Sequence, residues 1–240
     1  MTVTAYWRPS TIADAFDLLE RPGAVVLAGG TGLDRGPADL PVEVVDLQAL
    51  DLDGISPLPG DALQIGAMST LQALVDADQV PQAVREAARR ERPSTLRALA
   101  TVGGCIATGH PESELLAALL VHEAVVEVHA RDGHQSLPLE QLLARLPIGT
   151  GALVTRVTIR TDGRAAAART ARTTADRAIV AVHARATERG RRVCVTGVDR
   201  TPVLIEPGAE LHPSDDFRGA SDYRRALVEV LLARTLEAIS

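Results

Sequence analysis

Two glycine-bearing segments stand out as places where the backbone itself could do chemistry: Ala28-Gly29-Gly30-Thr31-Gly32-Leu33, after an apolar run, and Thr101-Val102-Gly103-Gly104-Cys105, well downstream. Glycine lacks a Cβ and tolerates positive φ, so such segments suit points where the main chain must approach something closely. Successive amides in a loop of this kind can bind an anion without help from a cationic side chain. The chain contains no lysine and no asparagine, and all of its basic residues apart from histidine are arginines. The hydroxyls of Thr31 and Thr101 add donors, and two such loops together point to a diphosphate held between them. Either segment taken alone also fits a tight turn with no ligand.

The stretch Val25 to Gly32, with Asp46 at the end of the next apolar run, superficially matches the turn of a dinucleotide-binding Rossmann unit. That fingerprint requires G-x-G-x-x-G opening a helix. Here Gly30, Gly32 and Gly36 have the wrong spacing, and Pro37 and Pro41 interrupt any helix, so the Rossmann reading is the weaker one.

Several elements must position these loops. Ile12, Ala15, Phe16 and Leu19 share one helical face in Thr11 to Glu20, and Arg21-Pro22-Gly23 ends that helix. Ala24 to Ala28 and Val42 to Leu47 read as strands, and with the helix they make a small α/β unit. Leu63 to Met68 reads as a strand, Leu71 to Ala77 and Gln82 to Arg90 as helices, and Pro93 breaks the run. A helix is expected from Pro111 through Ala118. Val125 to Ala130 alternates as a half-buried strand should, with a hairpin turn at Asp132-Gly133. Leu139 to Leu146 reads as a helix and Leu153 to Ile159 as a strand. The Arg- and Ala-rich stretch from Gly163 to Arg177 reads as a boundary. Beyond it, Ala178 to Thr187, Arg192 to Val198 and Val203 to Ile205 predict a small antiparallel sheet. Tyr223 to Ala238 predicts an amphipathic helix with Leu227, Val230, Leu231 and Leu236 facing inward.

The 240 residues allow one large domain or two to three small ones, and the net charge of -6 offers no basic tract to neutralise a nucleic-acid backbone. No apolar run is long enough to span a bilayer, and Met1-Thr2-Val3-Thr4 carries no basic and apolar leader, which predicts a cytoplasmic protein without membrane insertion. Cys105 and Cys194 are the only cysteines, too few for a four-cysteine iron–sulfur site. The histidines show no metal-ligand spacing, and no metal site is expected. Redox chemistry here would need an organic cofactor.

The chain resembles, nearly end to end, the FAD-binding medium subunit of molybdenum hydroxylases, the group of xanthine dehydrogenase and carbon monoxide dehydrogenase. Tyr6-Trp7-Arg8-Pro9 is similar to the family's opening, Ala28 to Leu33 to its A-G-G-T-x-L loop, and Leu63 to Ala67 to its strand before a Thr-rich turn. Arg97-Ala98-Leu99-Ala100-Thr101-Val102-Gly103-Gly104 resembles R-N-x-A-T-I-G-G, and Pro111 to Leu116 resembles P-x-S-D-L-x. Asp176-Arg177-Ala178-Ile179-Val180, Val195 to Val198 and Asp216 to Arg224 are similar to its later motifs. Each motif is weak alone, but their combined order is specific.

This resemblance implies an α+β fold: a two-subdomain FAD-binding domain of the PCMH-like kind, α/β plus a mixed sheet, over residues 1–160 with subdomains of about 1–54 and 55–160. A small C-terminal medium-subunit domain, residues 161–240, would follow with a three-stranded antiparallel sheet and helices. It also implies FAD held by Ala28, Gly29, Gly30, Thr31, Gly32 and Leu33 on one side and by Ala100, Thr101, Gly103, Gly104, Cys105 and Thr108 on the other. The diphosphate would lie against the amides of both segments. Glu114 would sit near the adenosine end and Val154 near the flavin ring. No catalytic side chain is required.

By the same resemblance, the partners would be an iron–sulfur subunit and a molybdopterin subunit, with FAD relaying electrons to an acceptor. Cys105 replaces the family's usual asparagine. The family's lysine near the flavin is absent, so Arg169 or Arg172 would have to supply any cation there, and no aromatic residue between Ile159 and Asp176 could cover the ring. Two other readings remain: a stand-alone FAD-dependent oxidoreductase of a small-molecule pathway, and a degenerate assembly module without flavin.

Overall fold

The computed structural model describes residues 2–32, 41–149, 151–206 and 208–240. Among them, β1 (Thr2–Trp7), β2 (Ala24–Leu27) and β3 (Pro41–Asp46) form a parallel sheet in the order β1-β3-β2. Helix α1 (Ile12–Leu19) begins where the Thr11 hydroxyl caps the Asp14 amide at 3.1 Å. Its apolar face puts Ala15, Phe16 and Leu19 against Val45, Leu47 and Leu50. The sequence reading assigns no strand to Thr2–Trp7, although its Thr, Val, Tyr and Trp residues favour one; most of them are exposed. Strand β1 is held to β3 by backbone pairing and by Asp46.

The middle of the chain builds an antiparallel five-stranded sheet, β4 (Ile55–Leu58), β5 (Ala62–Gly66), β8 (Ala152–Arg160), β6 (Val125–Ala130) and β7 (Gly133–Pro138), in that spatial order. Its helices are α2 (Leu71–Asp76), α3 (Gln82–Glu91), α4 (Ser94–Arg97), α5 (Val102–Thr108), α6 (Glu114–Val121) and α7 (Leu139–Leu143). They enclose the largest core, which includes Leu63, Ile65, Leu74, Ile106, Leu119 and Ile159. Leu153 of β8 instead joins the core of the first sheet, so one strand ties the two units together.

Three details differ from the sequence reading. The second glycine segment is not a loop: Thr101 caps the Gly104 amide at 3.1 Å and Val102 to Thr108 is helical. Two glycines lower helix propensity, but packing overrides it. The next helix starts at Glu114 rather than Pro111, capped by Ser113. The segment Arg164–Thr170, read as a boundary, is a strand, β9. Its Ala-rich sequence has little β-propensity, and pairing with β10 (Val180–Thr187) imposes the conformation.

The C-terminal sheet therefore has four strands rather than three, in the order β12 (Val203–Ile205), β11 (Gly190–Thr196), β10, β9. Helix α8 (Ser221–Ala238) covers β9 and β10, and α6 packs against β10 and β11. All eight residues of α6 are consequently buried. The inner line of α8 is Arg224, Val228, Leu231 and Thr235, whereas Val230, expected inside, is 49% exposed. Arg224 anchors the helix: its Nη1 donates to the carbonyls of Ile179 (3.0 Å) and Gly197 (2.8 Å), and its Nη2 lies 2.6 Å from Asp216.

Candidate functional site

Strand β2 delivers the first glycine loop against the segment leading into α5. A Cβ built on Gly29 would lie 1.8 Å from the Leu99 carbonyl oxygen and 3.1 Å from Ala100 Cα. Gly29 is thus a glycine because the two segments touch each other. Gly103 has a similar reason, since a Cβ there would be 2.8 Å from Ala67 Cβ and 3.0 Å from its carbonyl oxygen. Gly30 holds the turn at φ +70°, in the left-handed region. A Cβ on Gly32 would meet no described atom within 4 Å.

The contact at Gly29 brings the expected residues together. A chamber of about 240 Å³ is lined by Ala28, Gly29, Gly30, Thr31, Gly32, Thr101, Gly104, Cys105 and Thr108, with Val26, Ala107 and Arg92. A second chamber of about 310 Å³ shares Val26, Ala28, Gly104 and Ala107 with it and extends to Gly103, Met68, Ile148, Leu153 and Val154. The first is rimmed by amides and hydroxyls, while the second is almost wholly aliphatic and has no aromatic residue among the described residues lining it. Ala100 lies buried behind the junction, and Leu33 falls outside the described residues.

The hydrogen bonds redistribute the donors expected from sequence. At the start of α5 the amides are already engaged: Val102 N donates to Ser69 O at 3.0 Å, Gly103 N to Ala67 O at 2.8 Å, and Gly104 N to the Thr101 hydroxyl. The second segment therefore offers the Thr101 hydroxyl proton rather than a row of amides. In the first loop, the amides of Gly29 to Gly32 and the hydroxyl of Thr31 have no partner among the described residues. This donor set fits a diphosphate, with the aliphatic chamber beside it suited to a flat ring. The Thr108 hydroxyl donates to the Gly104 carbonyl at 2.7 Å.

Other residues play parts the sequence did not suggest. Glu114 lies outside both chambers: its carboxylate accepts from Arg169 Nε at 2.9 Å and sits 3.7 Å from Arg90 and 3.8 Å from His183. Burial pushes that carboxyl up, but His183, Arg169 and Arg90 bring it below the usual range. It acts as a charged strut between α6 and the C-terminal sheet. Arg169 is thereby committed, with a further bond to the Asp176 carbonyl at 2.6 Å, and Arg172 pairs with Asp176 at 3.5 Å. Neither arginine lines the chambers. Asp46, the would-be ribose contact of a Rossmann unit, is buried against Tyr6 and Arg8 and accepts from Gln48 N at 2.9 Å.

Cys105 lines the polar chamber but is only 9% exposed. Burial, followed by the nearby Glu91 charge, pushes its thiol far up, so it remains a protonated, small apolar group. Sequence reasoning missed Arg92, the single charged side chain among the described residues lining the chambers. Its signal was slight: it precedes Pro93, which ends α3 and places residue 92 at the rim.

Comparison with known proteins agrees with this architecture. Residues 2–160 match the family model described as the FAD binding domain in molybdopterin dehydrogenase. The chain is 32% identical over 251 aligned positions to the uncharacterized protein YgfM of Escherichia coli (strain K12), covering 96% of this chain and 94% of that one. It is 31% identical to a xanthine dehydrogenase FAD-binding subunit of Escherichia coli O157:H7, over 56% of this chain and 49% of the relative. A chain in the crystal structure of a cyanide-inactivated Cu,Mo-CO dehydrogenase superposes with a TM-score of 0.87 at 26% identity, covering 99% of this chain and 97% of that one. The sequence motifs, the chambered cleft and these matches agree: the chain belongs to the family of FAD-binding domains of molybdopterin dehydrogenases.

Proposed function

We propose that the two joined chambers hold FAD, and that the chain relays electrons from iron–sulfur clusters on a partner subunit to an acceptor. It would do so within a cytoplasmic complex that also contains a molybdopterin subunit. The observation that carries this reading is the continuity of a donor-lined chamber with an aliphatic one across Ala28 and Gly104. When bound, FAD would supply a redox centre that takes single electrons and passes pairs.

The protein's own work is binding and orientation. Amides of Gly29 to Gly32 and the hydroxyls of Thr31 and Thr101 receive the diphosphate, with Ala28, Gly103, Gly104, Cys105 and Thr108 shaping the walls. Val154 and Leu153 line the aliphatic chamber that takes the ring and sheds water from it. No general base or nucleophile is needed, in keeping with a buried, protonated Cys105. In this reading residues 1–160 form the FAD-binding domain, in two subdomains meeting near residue 54. Residues 161–240 form a second domain, braced to the first through Glu114 and Arg169. Glu114 is assigned to that brace rather than to the adenosine.

Purification of the native complex from its host tests the relay. The chain should co-purify with iron and molybdenum, and its flavin band should bleach when the complex receives reducing substrate. A chain recovered only by itself, or a flavin that stays oxidised while the other centres are reduced, contradicts it.

A further inference from the structure

A diphosphate brings negative charge into a cleft, and a facing cation adds charge-assisted bonds, roughly twice as strong as neutral ones, to those the loop amides make. The chain has no lysine to serve. Arg92 is the charged side chain that lines the donor-rich chamber. It follows the last turn of α3 in an extended conformation, φ -145° and ψ 151°, and its carbonyl is fixed by Arg97 Nη1 at 3.3 Å. Its guanidinium has no ion-pair partner among the described residues. Nearby arginines are committed, Arg90 to Glu86 and Glu114 and Arg177 to Glu91. Glu91, next to Arg92 in sequence, is buried and occupied by the Ser113 hydroxyl at 2.8 Å and the Leu115 amide at 3.3 Å.

An arginine without an ion pair and amides without a hydrogen-bond partner among the described residues thus line one small chamber. We propose that Arg92 is the cation that pairs with the FAD diphosphate and sets its affinity. The inference rests on the reading that FAD occupies the cleft. A guanidinium presents planar, paired donors that match two phosphate oxygens, which an ammonium reproduces only in charge.

The test is a titration of the full-length chain, stripped of bound flavin, with FAD, followed by quenching of flavin fluorescence from low to high salt. Arg92→Gln should raise the FAD Kd about tenfold at low salt and flatten its salt dependence. Arg92→Lys should keep the salt dependence and lose affinity by a smaller factor. Arg89→Gln, on α3 and outside the chamber, should match the parent chain and exclude an effect of net charge. An Arg92→Gln variant with the parent Kd and salt dependence overturns the inference while leaving FAD binding intact. If that variant melts early, Arg92→Lys decides, and an unchanged Kd there overturns the inference. A folded parent chain that takes up no FAD removes the reading beneath it and the inference together.

Discussion

Gly29 and Leu99 belong to different α/β units, yet the space a Gly29 side chain would need is filled by the Leu99 carbonyl, 1.8 Å from the ideal Cβ position. That contact seats the first glycine loop on the segment leading into α5 and makes one cleft of two. Gly29→Ala should therefore cost about 3 kcal/mol or more, since a backbone carbonyl cannot swing aside as a side chain can. Gly32→Ala, whose Cβ meets no described atom within 4 Å, should leave the melting temperature nearly unchanged. Equal melting temperatures for the two variants contradict the account.

Glu91 gives a pH signature. Burial lifts its carboxyl to about 7, against the hydrogen bonds from Ser113 and Leu115. Because the folded value lies above the unfolded one, its stabilising contribution is complete at low pH and is lost as pH rises through about 7. Glu91→Gln should thus gain on the parent chain between pH 6 and pH 8. Parallel melting curves for the two proteins across that range would count against a raised Glu91.

Asp46 should behave in the opposite sense. Burial pushes its carboxyl up, but the Tyr6 hydroxyl, the Gln48 amide and Arg8 hold it below the usual range. Its contribution is then present above the unfolded carboxylate value and lost as pH falls through the folded one. Asp46→Asn should lower the melting temperature at neutral pH and approach the parent chain in acid. A deficit that persists undiminished in acid would point to lost packing rather than lost charge.

Both cysteines are free and buried, and burial drives both thiols well above the ordinary range. An aromatic disulfide reagent at mildly alkaline pH should modify neither in the folded chain and both after denaturation. Rapid modification of Cys105 in the folded chain would contradict its burial and its raised thiol.

Much of this was legible in the sequence because the signals were local. Apolar periodicity placed α1, and Arg21-Pro22-Gly23 gave its end. The ordered motifs brought Ala28 to Gly32, Thr101, Gly104 and Val154 to one cleft. What escaped depended on distant partners. The Ala-rich β9 is a strand because β10 pairs with it, and the Gly103-Gly104 pair is helical because α5 packs on Ala67. Glu114 reads by resemblance as a contact at the adenosine end, but α6 is enclosed between the middle core and the C-terminal sheet, where Arg169 answers its charge. Arg92 carries no motif and emerges only from the wall it forms.

The most direct measurement is a titration of the purified, flavin-free chain with FAD, read by flavin fluorescence and by the visible spectrum, with folding monitored in parallel. The account predicts saturable quenching at one FAD per chain, with the perturbed absorption of a flavin ring in an aliphatic surround. A chain that remains folded while the added FAD keeps the fluorescence and spectrum of the free cofactor would contradict it.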